Sequence, residues 1–203
     1  MIDAATLEQT LSKGWGLRVR AVVTDKVYDA KRLTPAEQMH LTGLSTPKRQ
    51  TSWLLGRSAL KELLPALALS EDTTLLRFPH PKLSLSHSGG WAVAIGTDAP
   101  LVAGTGVDLE LRAPPRVETA RFFMSPDELP RLEKAPPKTL LRVWTIKEAV
   151  FKSDPDNATT SVRAYRLQDP DAPAGAISVG TRTFRYQTFE VPGGFLTAAL
   201  LKS

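Results

Sequence analysis

The chain has 203 residues, enough for one large domain or two small ones, and its hydrophobic (42%) and charged (23%) fractions are ordinary for a globular protein. The absence of cysteine excludes disulfides and thiolate metal sites, so a bound metal would need oxygen or histidine ligands. The formal net charge of +5 favours anionic partners, but it does not choose among a nucleic acid, a nucleotide and an acidic protein.

The first half of the chain predicts strands and helices in alternation. Residues 17–24 alternate and are rich in β-branched side chains, which predicts a strand. Thr34, followed by a proline and then by Glu37, is a typical helix start, and a second such start opens a long helix over residues 48–69. Residues 83–97 predict strand-like segments on either side of a Gly-Gly turn.

The second half shows the same kinds of pattern. A glycine-interrupted strand follows a short linker, a proline pair precedes the clearest helix, and the C-terminal residues alternate around a Pro-Gly-Gly turn. The predicted elements are a linker at 98–100, a strand at 101–111, a short helix starting at Ser125, a helix at 138–151, a loop at 154–173 and two strands within 177–202.

Each half therefore holds strands and at least one long helix, and the halves are similar in length. We predict an α+β fold of two similar-sized subdomains, residues 1–100 and 101–203, each a small sheet with a packed long helix. We expect the subdomains to be related by pseudo-twofold symmetry, with an active site at their interface.

Two carboxylates lie close together in the strand predicted for the second half. Because successive side chains of a strand point to opposite faces, Asp108 and Glu110 share one face. The residues that point into a core are Val107, Leu109 and Leu111. Neighbouring carboxylates repel each other, and a hard cation such as Mg²⁺, which prefers oxygen ligands, would remove that repulsion. The alternative is an edge strand with acidic residues on its wet face.

The long helix of the second half carries a third carboxylate. Trp144, Glu148 and Lys152 follow one another at intervals of four residues and lie on one helix face, beside Phe151. The alternative for Glu148 and Lys152 is a surface ion pair contributing roughly 0.2–0.5 kcal/mol. Lys147 points elsewhere, and we expect it to be an ordinary solvated lysine.

A third segment, Ser86-His87-Ser88, ends a strand just before the Gly-Gly turn. Small hydroxyl residues and glycines can bring backbone N–H groups close to a phosphate, and a protonated His87 would add a donor. The alternative is a β-turn with a partly buried histidine. Five basic residues could bind a polyanion together, or each could be an ordinary solvated charge. They are Lys48, Arg49, Arg57, Arg77 and Lys82.

In this order, the segments resemble the 4′-phosphopantetheinyl transferase superfamily, specifically its surfactin-synthetase-activating type. The family's G-[IV]-D-x-E strand stands at residues 106–110, and its W-x-x-K-E-A-x-x-K helix stands at residues 144–152. Residues 85–89 are similar to its S-H-S-G turn, and residues 120–128 to its R-F-F-[SA]-x-x-E segment. The resemblance spans residues 48–152.

The resemblance implies that coenzyme A donates its phosphopantetheine arm to a serine of an acyl or peptidyl carrier protein, releasing adenosine 3′,5′-bisphosphate. It implies that Asp108, Glu110 and Glu148 bind Mg²⁺, with Mn²⁺ as the alternative ion. Glu148 would act as the base for the carrier serine, and Lys152 would contact the pyrophosphate as part of the catalytic set. Residues implied to bind the coenzyme are Arg49, Arg57, Arg77, Lys82, Ser86, His87, Ser88, Asp108 and Lys152.

The resemblance also implies a separate role for each half of the chain, and it implies the partners of the protein. Residues 1–100 would bind the phosphate and adenine side of coenzyme A, and residues 101–203 would supply the metal carboxylates and the catalytic helix. Carrier proteins of this class are acidic, so a basic enzyme suits electrostatic steering. The sequence does not distinguish fatty-acid, polyketide and nonribosomal-peptide carriers. We expect a monomer that contacts neither nucleic acid nor membrane.

Two other interpretations stay open. A basic nucleic-acid-binding protein would need clustered basic and aromatic residues but no carboxylates. A homologue that has lost activity would bind coenzyme A or a carrier without transferring the arm. No apolar run approaches the roughly 18 residues of a membrane helix, and the polar residues within 1–14 argue against a signal peptide, so we expect a cytoplasmic protein.

Overall fold

The computed structural model describes residues 1–132 and 135–202 of the chain. Its α-helices are α1 (Ala4–Trp15), α2 (Pro35–Thr42), α3 (Pro47–Leu63), α4 (Val117–Ala120), α5 (Leu129–Leu132) and α6 (Pro137–Ser153). Its strands are β1 (Arg20–Thr24), β2 (Leu83–Ser88), β3 (Trp91–Gly96), β4 (Val102–Glu110), β5 (Ala174–Val179), β6 (Arg182–Val191) and β7 (Gly194–Lys202). The strands form two antiparallel sheets, which confirms the α+β class.

The first sheet has the strand order β1-β3-β2, and α3 packs on one of its faces. Thr46 caps this helix by accepting a hydrogen bond from the backbone N–H of Arg49, at 3.2 Å. The helix ends at Leu63, earlier than the predicted residue 69, and a 3₁₀ turn over Leu64–Leu67 follows. Pro65 explains the change, because its ring nitrogen cannot donate the next helical hydrogen bond.

The second sheet has the strand order β4-β7-β6-β5, and α6 packs across it. Val143, Ile146 and Val150 of the helix are fully buried in a core that also contains Phe184 and Leu201 of the sheet. The predicted helix at 138–151 and the predicted strand at 101–111 are therefore confirmed as α6 and β4, with boundaries that differ by two residues or fewer at each end.

A separate core joins the two sheets and includes the N-terminal helix α1. Leu7, Leu11 and Trp15 of α1 are buried there with Ile95 of the first sheet and Leu200 of the second. These three α1 residues are spaced four apart, so the helix has an apolar stripe that buries against both sheets.

Two other predicted elements differ from the structure. The helix expected to start at Ser125 begins at Leu129 instead, after a turn in which the Glu128 carboxylate accepts the backbone N–H of Ser125 at 2.8 Å. The C-terminal region forms three strands rather than two, because β5 precedes the predicted pair. The first three residues of β5, Ala-Gly-Ala, have low strand propensity, so the sequence pattern does not indicate a strand there.

The remaining features of the predicted architecture concern how the halves are related. Residues 20–96 contain the three-stranded sheet and residues 102–202 the four-stranded one. The pseudo-twofold symmetry and the boundary at residue 100 stay predictions. Among the described residues, none of the helices combines the length and the apolarity that crossing a membrane requires.

Candidate active site

Helix α6 lies directly against β4 because two glycines leave no side chain between them. A Cβ atom added at Gly106 would lie 1.9 Å from the carbonyl oxygen of Ala149, and one at Gly104 would lie 1.8 Å from another carbonyl oxygen of α6. Asp108 and Glu110 lie on the same face of the strand as the glycines. The close approach therefore places both carboxylates beside α6.

A cavity of about 320 Å³ opens where β2, β4 and α6 meet. It brings together the three predicted metal carboxylates, the predicted catalytic lysine and part of the Ser-His-Ser segment. The lining residues are Leu85, Ser86, His87, Asp108, Leu109, Glu110, Glu148 and Lys152.

Asp108 lines this cavity from β4 and is only 4% exposed. Its Oδ1 atom accepts hydrogen bonds from Lys152 Nζ at 2.7 Å and from Ser86 Oγ at 3.1 Å. Its Oδ2 atom is buried and has no hydrogen-bond partner among the described residues. The alternative of a wet strand face is therefore wrong for Asp108, and Lys152 pairs with this residue.

Glu110 lies at the end of β4, where the cavity meets the protein surface. Its Oε1 atom accepts a hydrogen bond from Trp144 Nε1 at 2.8 Å, and its Oε2 atom lies 2.8 Å from Arg112 Nε. The Arg112 guanidinium also lies 5.9 Å from the centre of the Trp144 ring. These contacts fix the orientation of Glu110.

Glu148 projects from α6 toward the other two carboxylates. Its pKa is raised because burial removes water and because the negative charge of Asp108, with a smaller effect from Glu110, opposes its ionisation. Lys152 partly offsets the rise. Glu148 therefore retains a proton at higher pH than an ordinary glutamate does.

The chemistry of these side chains fits a hard divalent cation. Carboxylate oxygens are its preferred ligands, and the buried Oδ2 atom of Asp108 is without a partner. Within residues 1–132 and 135–202, however, no group of three or more His, Cys, Asp or Glu side chains is arranged to hold an ion. The Lys152 ammonium is bound to Asp108, so a cation entering there would take over a charge pairing that the lysine now makes.

His87 lies at the rim of the cavity and also lines a second cavity of about 400 Å³. Its Nδ1 atom is 3.5 Å from Ser52 Oγ. The pKa of His87 is lowered because nearby protein atoms displace water, and because the positive charges of Lys152 and Arg57 disfavour a further cation. The second cavity extends from His87 along the first turns of α3, past Lys48.

Arg57 projects from α3 into a buried polar network and lines neither cavity. Its guanidinium lies 4.6 Å from the centre of the Trp53 ring, and its Nη1 atom donates to Thr73 Oγ1 at 3.2 Å. The same threonine donates to Glu37 Oε1 at 2.6 Å, and Glu37 Oε2 pairs with Lys61 Nζ at 2.8 Å. Burial lowers the pKa of Arg57 to about 10.

The other basic residues predicted to bind the coenzyme lie farther out. Arg49 donates to Ser45 Oγ at 3.4 Å. Arg77 donates to the carbonyl oxygen of Thr74 at 3.3 Å, and Lys82 is exposed. In the described part of the chain, none of the three basic residues lines either cavity. The structure thus brings Ser86, His87 and Ser88 to the cavities but not these side chains.

Lys147 corrects the prediction of a solvated lysine, because it is 0% exposed. Its Nζ atom lies 2.6 Å from Glu128 Oε2, and Glu128 also accepts two backbone N–H groups. The missed signal was its spacing: Lys147 follows Val143 by four residues and precedes Val150 by three, which places it on the apolar stripe of α6. The buried pair ties the segment before α5 to α6.

An apolar hollow next to Glu110 was not predicted from the sequence. It has a volume of about 480 Å³, and it is lined by Trp144, whose Nε1 atom donates to Glu110. Phe122 on its rim is 64% exposed, whereas Phe123 is buried with its ring edge-on to Trp144 at 5.0 Å. The lining residues are Arg112, Ala113, Pro114, Pro115, Arg116, Thr119, Phe122, Phe123 and Trp144.

A comparison with known protein families gives a match in the second half of the chain, where the carboxylates lie. Residues 104–199 match the family model of the 4′-phosphopantetheinyl transferase superfamily. The matched segment includes Asp108, Glu110, Glu148 and Lys152, and it excludes the Ser-His-Ser segment of β2. The search of curated proteins found none that matches the chain.

Proposed function

We propose that the protein transfers the 4′-phosphopantetheine arm of coenzyme A to a serine of an acyl or peptidyl carrier protein, as an enzyme of the surfactin-synthetase-activating type. The observation that carries the proposal is the convergence of Asp108, Glu110, Glu148 and Lys152 in one cavity, within a segment that matches the superfamily. We assign Asp108, Glu110 and Glu148 as the ligands of Mg²⁺, with Mn²⁺ as the alternative ion.

The reaction exchanges one phosphorus–oxygen bond for another. The serine oxygen bonds to the phosphorus attached to pantetheine, the bridging bond of the pyrophosphate breaks, and adenosine 3′,5′-bisphosphate leaves. When bound, Mg²⁺ would supply positive charge that offsets the charge developing on the leaving phosphate.

Glu148 is the proposed base for the carrier serine. Its carboxylate lines the cavity together with Asp108 and Glu110, beside the proposed metal site, and a positioned carboxylate can take a proton from the attacking hydroxyl. The serine proton passes to the Glu148 carboxylate as the new bond forms. Lys152 has its ammonium 2.7 Å from Asp108, and we assign it to the pyrophosphate once a cation takes over that pairing.

The coenzyme is proposed to run from this cavity past His87 into the neighbouring cavity along α3. That cavity is lined by Lys48 and by the hydroxyl residues Thr51 and Ser52, which suit phosphate oxygens. Arg57 stays a proposed contact because the Trp53 ring and Thr73 hold its guanidinium in place and its positive charge acts on His87.

The carrier protein is proposed to approach the opposite end of the cavity, at the apolar hollow. Phe122 offers an exposed aromatic surface there, and the guanidinium of Arg121 lies 5.2 Å from the centre of its ring. Arg112 and Arg116 line the hollow and add positive charge. An acidic carrier that presents an apolar side chain beside its modified serine matches this combination.

Intact-mass measurement of arm transfer tests the proposal, using a panel of carrier proteins with and without Mg²⁺. We expect a metal-dependent mass increase, and we expect Asp108→Ala to abolish it while the protein remains folded. Glu190→Gln is the matched control, because this carboxylate is 67% exposed on β6 and lies outside the cavity.

Three outcomes would contradict parts of the proposal. Undiminished turnover by Asp108→Ala would refute the metal assignment. Coenzyme A binding without transfer to any carrier would identify a protein that only binds the coenzyme. Salt-sensitive oligonucleotide binding that survives Asp108→Ala, in a protein that transfers nothing, would favour the nucleic-acid interpretation.

A further inference from the structure

We infer that Ser84, Ser86 and Ser88 form a side-chain seam that joins the two sheets and sets the spacing of the cavity. This serine seam makes the three residues positioning residues, whereas the family resemblance assigns Ser86 and Ser88 to the coenzyme. The catalytic part of the inference rests on the proposed function.

The seam consists of three hydrogen bonds between β2 and β4. The serines occupy alternate positions of the sequence Leu-Ser-Leu-Ser-His-Ser, so their side chains share one face of β2. Each hydroxyl oxygen accepts an alternate backbone N–H of β4 or of the residue after it. The bonds run from Val107 N to Ser84 Oγ (3.0 Å), from Leu109 N to Ser86 Oγ (3.0 Å) and from Leu111 N to Ser88 Oγ (2.9 Å).

These bonds provide acceptors for backbone N–H groups at the outer edge of the second sheet. β4 is the first strand in the order β4-β7-β6-β5, so every second N–H group points away from its partner strand. A buried N–H group without an acceptor destabilises a fold by roughly 1–3 kcal/mol. The serine hydroxyls provide those acceptors where a backbone partner would otherwise be needed.

Because serine side chains rather than backbone groups connect β2 and β4, they also determine the distance between these two strands. A backbone ladder would bring β2 and β4 to about 4.8 Å and merge the two sheets. A serine side chain between them keeps the strands farther apart, and the 320 Å³ cavity is lined from both strands. The seam therefore sets the distance between His87 of β2 and the carboxylates of β4.

The opposite face of β2 anchors the strand to α3. A Cβ atom added at Gly56 of α3 would lie 3.0 Å from Leu85 Cδ2 and 3.8 Å from His87 Cδ2. β2 is thus held by α3 on one face and by the seam on the other. A change at Ser84 would shift His87 and β4 relative to each other without altering a side chain that lines either cavity.

The middle hydroxyl already has its partners. Ser86 Oγ accepts from Leu109 N, donates to Asp108 Oδ1 at 3.1 Å, and lies 3.3 Å from Lys152 Nζ. A phosphate oxygen would have to displace one of these contacts. Ser86 therefore orients Asp108, and its hydroxyl is committed to that contact.

Ser84→Ala and Ser88→Ala test the seam against a coenzyme-binding role. Ser84 has no assigned role in coenzyme binding, yet the seam predicts the same behaviour for both variants. We expect each to lower kcat on the order of tenfold, as a misplaced catalytic group does, and we expect Ser84→Ala, which alters no side chain of either cavity, to change the dissociation constant for coenzyme A far less than kcat. Ser88→Thr, which keeps the hydroxyl, should restore kcat. Amide hydrogen exchange should accelerate by about tenfold at Val107 in Ser84→Ala and at Leu111 in Ser88→Ala.

Thr97→Val is the matched control for general destabilisation. Its buried hydroxyl donates to the carbonyl oxygen of Arg18 at 2.7 Å, away from the cavity. It should lower the thermal midpoint without changing kcat. If Ser84→Ala does not fold, Ser88→Ala at the more open end of the seam supplies the test.

The outcomes separate the seam from the proposed function. Weaker coenzyme A binding by Ser88→Ala alone, with normal amide exchange at Leu111, would overturn the seam and restore the phosphate contact. A lack of transfer by the wild-type protein would refute the proposed function only. The exchange rates at Val107 and Leu111 would then decide on the seam without reference to activity.

Discussion

The buried carboxylate of Glu37 should make the stability of the protein depend on pH in a predictable way. Glu37 is 0% exposed, and its two oxygens receive hydrogen bonds from Thr34, Thr73 and Lys61. Burial by itself would raise the pKa of Glu37, but the hydrogen bonds from Lys61 and Thr73 outweigh it and lower the pKa from 4.5 to about 2.

The magnitude follows from the difference between the two pKa values. A carboxyl group with a pKa of 4.5 in the unfolded chain and about 2 in the folded protein contributes about 3 kcal/mol to the free energy of unfolding when ionised. Because the folded value is the lower one, this contribution is complete well above pH 4.5 and is lost as the pH falls toward 2. About 1 kcal/mol should be lost between about pH 7 and about pH 3.5.

Urea unfolding of the wild-type protein and of Glu37→Gln, measured at several pH values, checks this prediction. At neutral pH the variant should lose about 3–5 kcal/mol, since it leaves Lys61 buried without its partner. Its free energy of unfolding should fall by about 1 kcal/mol less than that of the wild type on acidification to about pH 3.5. Glu71→Gln, at an exposed carboxylate in the same half, is the control and should follow the wild type. Parallel pH profiles for the wild type and Glu37→Gln would refute the reasoning.

Two further predictions concern the proposed reaction. Glu148→Gln keeps the shape of the side chain but cannot accept the serine proton, so single-turnover transfer should slow on the order of 10²-fold or more. If calorimetry instead shows a change in coenzyme affinity alone, Glu148 has only a binding role. The double variant Arg116→Glu/Arg121→Glu should raise the KM for an acidic carrier on the order of tenfold while leaving the KM for coenzyme A unchanged. Equal effects on both KM values would argue against the hollow as the carrier surface, and Arg163→Glu, on an exposed turn outside the hollow, is the control.

Local periodicity predicted the parts of the site that lie within one element. Alternation along a strand predicted that Asp108 and Glu110 share a face, with Val107 and Leu109 buried on the other, as the structure confirms. These relations follow from the period of the element itself, so they hold wherever the strand is packed.

Contacts between elements were harder to predict. Helical spacing suggested that Lys152 pairs with Glu148, but its ammonium binds Asp108, 44 residues away in sequence. Lys147 was expected in water and is buried against Glu128. In both cases the partner belongs to another segment, and its position depends on how α6 packs.

The sequence by itself determined the α+β class, the long helices, the residues of the carboxylate set and a resemblance that a superfamily match supports for residues 104–199. Only the tertiary structure decided that two glycines let α6 approach β4 closely enough to assemble those carboxylates. It also gave the serines of β2 their role, because an acceptor at every second residue is meaningful only beside a strand edge with unpaired N–H groups. The local sequence determines how side chains are spaced along one element. The surface that those side chains contact forms only when distant segments pack together.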